Sequence, residues 1–270
     1  MTDSGPTADR RPSKGIDTTV PHPARVWDYW LDGKDNYAAD REVGDQILAV
    51  MPDLAVIARA DREFLGRVVR YLAGEAGIRQ FLDVGTGLPT ANNTHEVAQA
   101  TAPQCRIVYA DNDPLVLAHA RALLVSSPQG ATDYIDADLR EPDKIRQGAA
   151  RTLDFAEPAA LTLLAILEFI PDDDEAYAIV NRLLDELAPG SYLVISHAVH
   201  SEAMDQAAQH WNDSGATPIT IRSPHEVARF FDRLELLEPG LVSLPRWRPD
   251  PGTLYVDREV DQFGAVGRKP

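Results

Sequence analysis

Short apolar runs interleaved with helix-opening signals constrain this chain more than any other feature. The runs are FLDV (81–84), RIVYAD (106–111), DYIDADL (133–139), ALTLLAIL (160–167) and YLVISH (192–197). Asn93-Thr-His-Glu96 reads as a capping box opening a helix through about Ala102. Asp113-Pro114 reads as an N-cap followed by proline at the first helical position. Further helices are expected over Asp172–Leu187 and Ser201–Trp211. ALTLLAIL carries no charge, which predicts a central strand buried on both faces. Repeated strand–helix alternation predicts an α/β fold with a mostly parallel sheet and helices on both faces.

The flanks read differently. Residues 1–20 are polar and rich in Pro, Gly and Ser, and predict a mobile tail. In 22–41, Trp27, Tyr29, Trp30 and Tyr37 interleave with Lys34, Asp35, Asn36, Asp40 and Arg41, which predicts an ordered segment packed on the rest. Residues 42–73 read as helical, broken near Pro52, with Phe64, Leu65, Val68, Val69 and Leu72 at helical spacing and Gly74 and Gly77 as stops. Ser223-Pro224 caps a helix through Phe231, and LELLEPGLVSL and TLYVD read as two final strands. The expected organisation is one domain over 21–270, with an N-terminal helical lid or cap (21–78) and an α/β core (79–270).

Composition narrows the partners. Lys plus Arg is 26 against 42 Asp plus Glu, a net charge of −16, and such a field repels nucleic acid and anionic membranes at long range. No apolar run approaches the ~18 residues of a membrane span, and the N-terminus lacks the apolar stretch of a secretory signal. The one cysteine, Cys105, allows neither an intramolecular disulfide nor a cysteine metal cluster, and no histidine cluster replaces it, so no metal is expected. These features favour a cytoplasmic protein acting on a small-molecule substrate. They leave the oligomeric state open.

In open α/β sheets, ligands bind beyond the carboxyl ends of the strands. The first such loop here is Asp83-Val-Gly85-Thr86-Gly87-Leu-Pro89. Two glycines let backbone N–H groups approach a ligand. The third glycine of a dinucleotide loop is absent, since Thr90 stands there after Pro89. Asp83 would be unfavourable beside a pyrophosphate and suits S-adenosylmethionine, which carries an ammonium and a sulfonium and no phosphate. That argument disfavours a nicotinamide-dependent oxidoreductase. Asp111, with Asn112 beside it, ends the second strand, where an acid can accept hydrogen bonds from ribose hydroxyls. Asp138 and Leu139 end the third and are placed to border an adenine.

D-V-G-T-G, YADNDP, ADL, the apolar fourth strand and PGSYLVIS follow one another as the class I methyltransferase motifs do, over about residues 80–197. More narrowly, ARVWDYWLDGKDNYAADR, ARADREFLGRVVRYLA, FLDVGTGLPT, NTHEVAQ and VYADNDPLVLAHARALL resemble the actinobacterial S-adenosyl methyltransferase family once known only as a domain of unknown function. The resemblance implies a Rossmann-like class I methyltransferase fold, with a seven-stranded sheet whose last strand is antiparallel, and S-adenosyl-L-methionine as cofactor. It matches Asp83, Gly85 and Gly87 to the cofactor loop, Asp111 to the ribose acid and Asp138 to the adenine position. It supplies no acceptor. Two positions depart from the pattern: glycine is expected near Asn92, and histidine where Glu168 stands.

Methyl transfer requires positioning, with a general base only where the acceptor must lose a proton early. Glu168, after the fourth strand, is the first candidate base, and His197, ending the fifth, the second. His200 and His95 read as polar surface. From the cap, Asn36 or Tyr37 could reach the cofactor, and Arg62, with Arg59 near it, could pair with the methionine carboxylate. Trp247-Arg-Pro-Asp250 could border the acceptor. The alternative to an enzyme is a non-catalytic SAM- or SAH-binding regulatory protein on the same fold.

Overall fold

A computed structural model describes residues 16–123, 125–251 and 258–270. Three helices come first: α1 (Pro23–Trp30), α2 (Ala38–Val50) and α3 (Leu54–Gly74). Then follow β1 (Gln80–Val84), α4 (Thr94–Thr101), β2 (Arg106–Asp111), α5 (Pro114–Leu123), β3 (Ala131–Asp136), α6 (Pro142–Ala149), β4 (Ala160–Leu164), α7 (Asp173–Asp185) and β5 (Tyr192–Ala198). The chain closes with α8 (Glu202–Asp213), α9 (Pro224–Arg229), β6 (Glu235–Leu236), β7 (Val242–Ser243) and β8 (Gln262–Arg268).

The sheet order is β3-β2-β1-β4-β5-β8-β6, with β7 also pairing β8. β1 to β5 run parallel and β8 runs antiparallel to β5. Side chains alternate across the sheet, as strand geometry requires. Phe81, Ile107 and Tyr109 face the core made with α3, whereas Leu82, Val108 and Ala110 face the one made with α6 and α7. The N-terminal helices belong to the first core through Val26, Trp30, Ile47 and Ile57. Among the described residues, no helix is long and apolar enough to cross a membrane.

Among the described residues the sheet has eight strands where seven are expected, because LELLEPGLVSL forms two short strands, β6 and β7. Pro239 has no N–H to give a ladder, and Gly240 turns the chain at φ 85°. The other expected final strand, TLYVD, lies outside the described residues, as do residues 1–15 of the expected tail. The long antiparallel strand is QFGAVGR (β8), whose glycines hide it from a propensity reading. A Cβ on Gly264 would meet Leu244 Cδ2 at 2.7 Å and Phe64 Cζ at 2.8 Å, and one on Gly267 would meet Phe231 Cδ1 at 2.8 Å. Packing of side chains over the strand, and no preference of its own, places it.

Candidate active site

Leaving β1, the chain turns at Gly85 (φ 75°) and Gly87 (φ 65°), a region where an L side chain is strained. A Cβ at Gly85 would also meet Ile166 Cγ1 at 2.5 Å, so the loops after β1 and β4 close on each other only over a glycine. Gly87 N donates to Asp111 Oδ2 (2.9 Å) and Asp113 N to Asp111 Oδ1 (2.9 Å). Asp111 thus fixes both loops while it borders a cavity. Burial pushes its carboxyl upward, against the two N–H donors.

Asp83 is buried beneath the same loop. Its Oδ2 accepts from Thr94 Oγ1 (2.5 Å) and its Oδ1 from Thr162 Oγ1 (2.9 Å), which ties β1 to α4 and β4. Burial raises this carboxyl as well, and the threonine hydroxyls, Thr86 included, oppose the rise. Asn112 Nδ2 donates to Asp138 Oδ2 (2.8 Å), and Arg140 N to Asp138 Oδ1 (2.8 Å). Asn92, where glycine is expected, is left-handed at φ 61°, a conformation asparagine tolerates better than most residues.

These strand ends open on a cavity of ≈ 340 Å³, within the range of about 300–1,000 Å³ common for small-molecule sites. Asp83, Gly85, Thr86, Gly87, Asp111 and Asn112 border it. So do Asp138, Leu139, Arg62 and Glu168. Arg62 Nη2 donates to the carbonyls of Ala91 (3.2 Å) and Asn92 (3.1 Å), which holds the loop before α4. The facing wall is the N-terminal cap, with Trp27, Asp28, Trp30 and Leu31 of α1 and its turn.

Asn36 and Tyr37 are not among the residues bordering the cavity. Asn36 Nδ2 donates to Asp28 Oδ2 (2.9 Å) and Gly33 O (3.1 Å), closing the α1–α2 turn. Tyr37 N donates to Asp40 Oδ2 (2.8 Å) at the start of α2, and its ring lies under Arg25. Both organise the cap. Arg59 pairs with Asp32 (2.6 Å) on the surface. Trp247 is fully buried, edge-on to Phe64 at 5.5 Å, and is likewise absent from the cavity wall.

Glu168 lies on a 3-10 turn, Leu167–Phe169. The run ALTLLAIL leaves the sheet before its end because Ala165 turns left-handed at φ 47°, held by Ser196 O (3.1 Å) and Ser196 Oγ (3.0 Å). Such strain persists only where the surroundings over-determine it. Glu168 Oε1 accepts from Ala198 N (2.8 Å). Its Oε2 is buried with no hydrogen-bond partner among the described residues.

His197 does not border the cavity. It is fully buried, and both ring nitrogens are engaged, with Ala198 O at 2.7 Å from Nδ1 and Arg222 Nη1 at 3.0 Å from Nε2. Arginine only donates, so Nε2 accepts and Nδ1–H donates. Burial holds this neutral ring below the ordinary imidazole range. Arg222 also donates to Leu167 O (2.9 Å), Ile170 O (2.8 Å) and Asp173 Oδ1 (2.9 Å). His197 and Arg222 therefore hold the turn that carries Glu168. His200 sits on the surface, 2.7 Å from Asp205. His95, expected there too, is buried against Tyr109, with Nδ1 2.8 Å from the phenol oxygen.

Sequence reasoning passed over Asp61, Arg222 and Gln262. Asp61 stands on the apolar stripe of α3 with Ile57, Ala58, Phe64 and Leu65, and is 5% exposed. A carboxylate on a buried helical face was the available signal. Nothing local marks the other two, which acquire their surroundings only through tertiary packing.

A family model described as S-adenosyl methyltransferase matches residues 9–270. A crystal structure of a DUF574-family protein from Streptomyces avermitilis MA-4680 is similar with TM-score 0.89 and 44% identity, over 94% of this chain and 99% of that one. A structure from Thermobifida fusca YX, named as a candidate methyltransferase, is similar with TM-score 0.88 and 41% identity, over 96% and 98%. An O-methyltransferase family protein from Burkholderia thailandensis shares the fold alone, with TM-score 0.52 and 13% identity over 90% of this chain and 63% of that one. Among curated proteins, none matches the sequence. The matched length and the two relatives above 40% identity show that the chain belongs to the S-adenosyl methyltransferase family, enzymes that move a methyl group from S-adenosylmethionine to an acceptor.

Proposed function

We propose that the chain binds S-adenosylmethionine over the ends of β1 to β3 and passes its methyl group to a small molecule held beneath the helical cap. One observation carries this reading: a single cavity joins the Gly85–Gly87 loop and Asp111 to Glu168 and the tryptophans of α1. The donor set fits a cationic, phosphate-free ligand. Asp28, Asp61, Asp83, Asp111, Asp138 and Glu168 border the cavity, against Arg62, Arg140 and His22.

In this reading Asp111 accepts from ribose hydroxyls while its backbone donors hold it rigid. Asp138, Asn112 and Leu139 border the adenine, and Arg62 faces the methionine carboxylate. Asp83 acts from below, fixing the loop through Thr94 and Thr162. S-adenosylmethionine supplies a methyl carbon already activated by its sulfonium, so the protein's main work is positioning and exclusion of water. Residues 21–78 serve as the lid, with Trp27 and Trp30 turned to the cavity, and Glu168 acts at the acceptor. The acidic surface argues against a nucleic-acid acceptor, and the lone buried thiol, Cys105, suits the cytoplasm.

The test is calorimetric titration of the purified protein with S-adenosylmethionine, S-adenosylhomocysteine and NAD. Micromolar binding of the two sulfur ligands and none of NAD is expected. Absence of binding by both sulfur ligands sinks the reading.

A further inference from the structure

We infer that the acceptor is an amine on an apolar or aromatic body, received by the paired carboxylates of Asp61 and Glu168 under a cage of aromatic side chains. This deepens the proposed methyl transfer and rests on it.

The cavity extends well past the residues assigned to the cofactor. β2 and β5 are three strand spacings apart in the sheet, roughly 14 Å at ~4.8 Å per strand. Beyond those residues the cavity wall is largely apolar and aromatic, with Phe169, Met204, Trp211 and Ile221, and Trp27 and Trp30 from the cap. Phe169 and Trp211 meet edge-on at 6.1 Å, and Trp27 and Trp30 at 5.9 Å.

Set into this wall are three buried polar atoms with no hydrogen-bond partner among the described residues: Asp61 Oδ1, Glu168 Oε2 and Gln262 Nε2. All three residues border the cavity, and they are 5%, 5% and 2% exposed. They converge on one stretch of β5. Asp61 lies near the Ser196 hydroxyl, which opposes the rise of its carboxyl. Glu168 takes the N–H of Ala198 (2.8 Å), and Gln262 is the register partner of Ala198. Asp61 and Glu168 feel each other's charge.

Leaving a buried acceptor unsatisfied is costly, and more so for a carboxylate. Two such oxygens on one cavity wall are matched by a ligand that donates at least two N–H bonds and carries positive charge. A primary or secondary ammonium meets that description, and an ether, an ester or a carboxylate does not. The aromatic faces around it favour the same cation. Gln262 Nε2 offers one donor for a polar atom elsewhere on the ligand.

The pair also gives the reaction a proton path. Burial pushes the Asp61 carboxyl up to about 7, which brings its proton affinity closer to that of an amine than an ordinary carboxylate's. Asp61 takes one proton from the ammonium, which leaves a nitrogen lone pair. That pair forms the N–C bond to the sulfonium methyl, and the C–S bonding pair departs to sulfur. The methylated nitrogen carries the charge left behind, facing Glu168, and the proton on Asp61 leaves to solvent.

The experiment uses the full chain, alone and loaded with S-adenosylhomocysteine, titrated with tryptamine and 2-phenylethylamine and with their neutral counterparts tryptophol and 2-phenylethanol. Binding is read by calorimetry and tryptophan fluorescence. The amines are expected to bind at least tenfold more tightly than the alcohols. Asp61→Asn and Glu168→Gln, both close in shape to the native side chains, should each remove that preference while S-adenosylhomocysteine affinity stays within twofold. Equal binding of amine and alcohol by the wild-type protein overturns the proposal, whether or not the variants fold. Loss of S-adenosylhomocysteine affinity in the variants also overturns it, by giving the pair to the cofactor's own ammonium. Failure of the wild-type protein to bind S-adenosylhomocysteine is a separate result that strikes the cofactor assignment, and the amine–alcohol comparison on the unloaded chain still decides this one.

Discussion

Over β1 to β3 the cavity is bordered mostly by one stretch of chain, Asp83 to Leu139, joined by Arg62, whereas over β5 and β8 it is assembled from Asp61, Glu168 and Gln262, which no short segment contains. The first region works through turns. Gly85 and Gly87 are left-handed, and the Asp111 carboxylate is clamped by two backbone N–H groups. The second works through side chains delivered by a helix, a 3-10 turn and an antiparallel strand, each fixed by remote partners such as Arg222. A site made of backbone turns admits few substitutions and one ligand geometry. A site made of side chains on separate elements changes its ligand chemistry one residue at a time, with the turns untouched. The difference suits a fold that keeps a cofactor and varies an acceptor.

The sharpest way to break the comparison is Gly85→Val. The backbone sits at φ 75° and a Cβ would stand 2.5 Å from Ile166 Cγ1, so both the turn and the approach of the β4 loop are lost. Loss of S-adenosylmethionine binding beyond about a hundredfold is expected by calorimetry, with a lowered melting temperature. Near-native affinity in a folded variant would show that the loop is not the cofactor's cradle.

Next in size is the pH dependence of Asp61. Its folded-state carboxyl stands at about 7 against an ordinary aspartate value of 3.8, because burial disfavours the charge. Between those values the folded chain binds the proton and the unfolded chain does not, so this group's contribution to stability falls as pH rises from about 4 through 7. Asp61→Asn lacks that slope. It should match the wild type near pH 4 and exceed it at pH 8 by up to roughly 4 kcal/mol, measured by denaturant unfolding across pH. A constant difference at all pH values would remove Asp61 as the buried, titrating acid of the acceptor side.

Asp111→Ala is the smaller blow to the cofactor side. It removes the proposed ribose acceptor and leaves the N–H groups of Gly87 and Asp113 without their carboxylate. A loss of about 1–3 kcal/mol in S-adenosylmethionine affinity, or roughly five- to 150-fold, is expected by calorimetry. Unchanged affinity would place the ribose elsewhere.

The same contrast decides what was legible in the sequence. β1, β2, β4, β5 and the α4 and α5 caps are local signals, so their order and the loop residues Asp83 to Asp138 could be read from short windows. β8 could not, because Gly264 and Gly267 carry little strand preference and are selected by Phe64, Leu244 and Phe231 packed on them. Asn36, Tyr37 and His197 are polar residues in suggestive places whose hydrogen bonds turn out to run to Asp28, Asp40 and Arg222. Asp61 was visible as a charge on an apolar stripe, but the residues that border the cavity with it, Glu168 and Gln262, lie far along the chain.

The finest distinction concerns Asn92, where the cofactor loop departs from glycine. Its φ of 61° is accessible to asparagine, and its carbonyl receives Arg62 Nη2 at 3.1 Å, a contact that needs no side chain. In Asn92→Gly the backbone keeps the same conformation and the same acceptor. Glycine relieves the residual strain but adds unfolded-state freedom, two terms of opposite sign and each under about 1 kcal/mol. Thermal unfolding should therefore move by no more than about 0.5 kcal/mol, and S-adenosylmethionine affinity by less than twofold. A larger loss would mean that the Asn92 side chain itself contacts the ligand, and that the cofactor side is less a matter of backbone than its turns suggest.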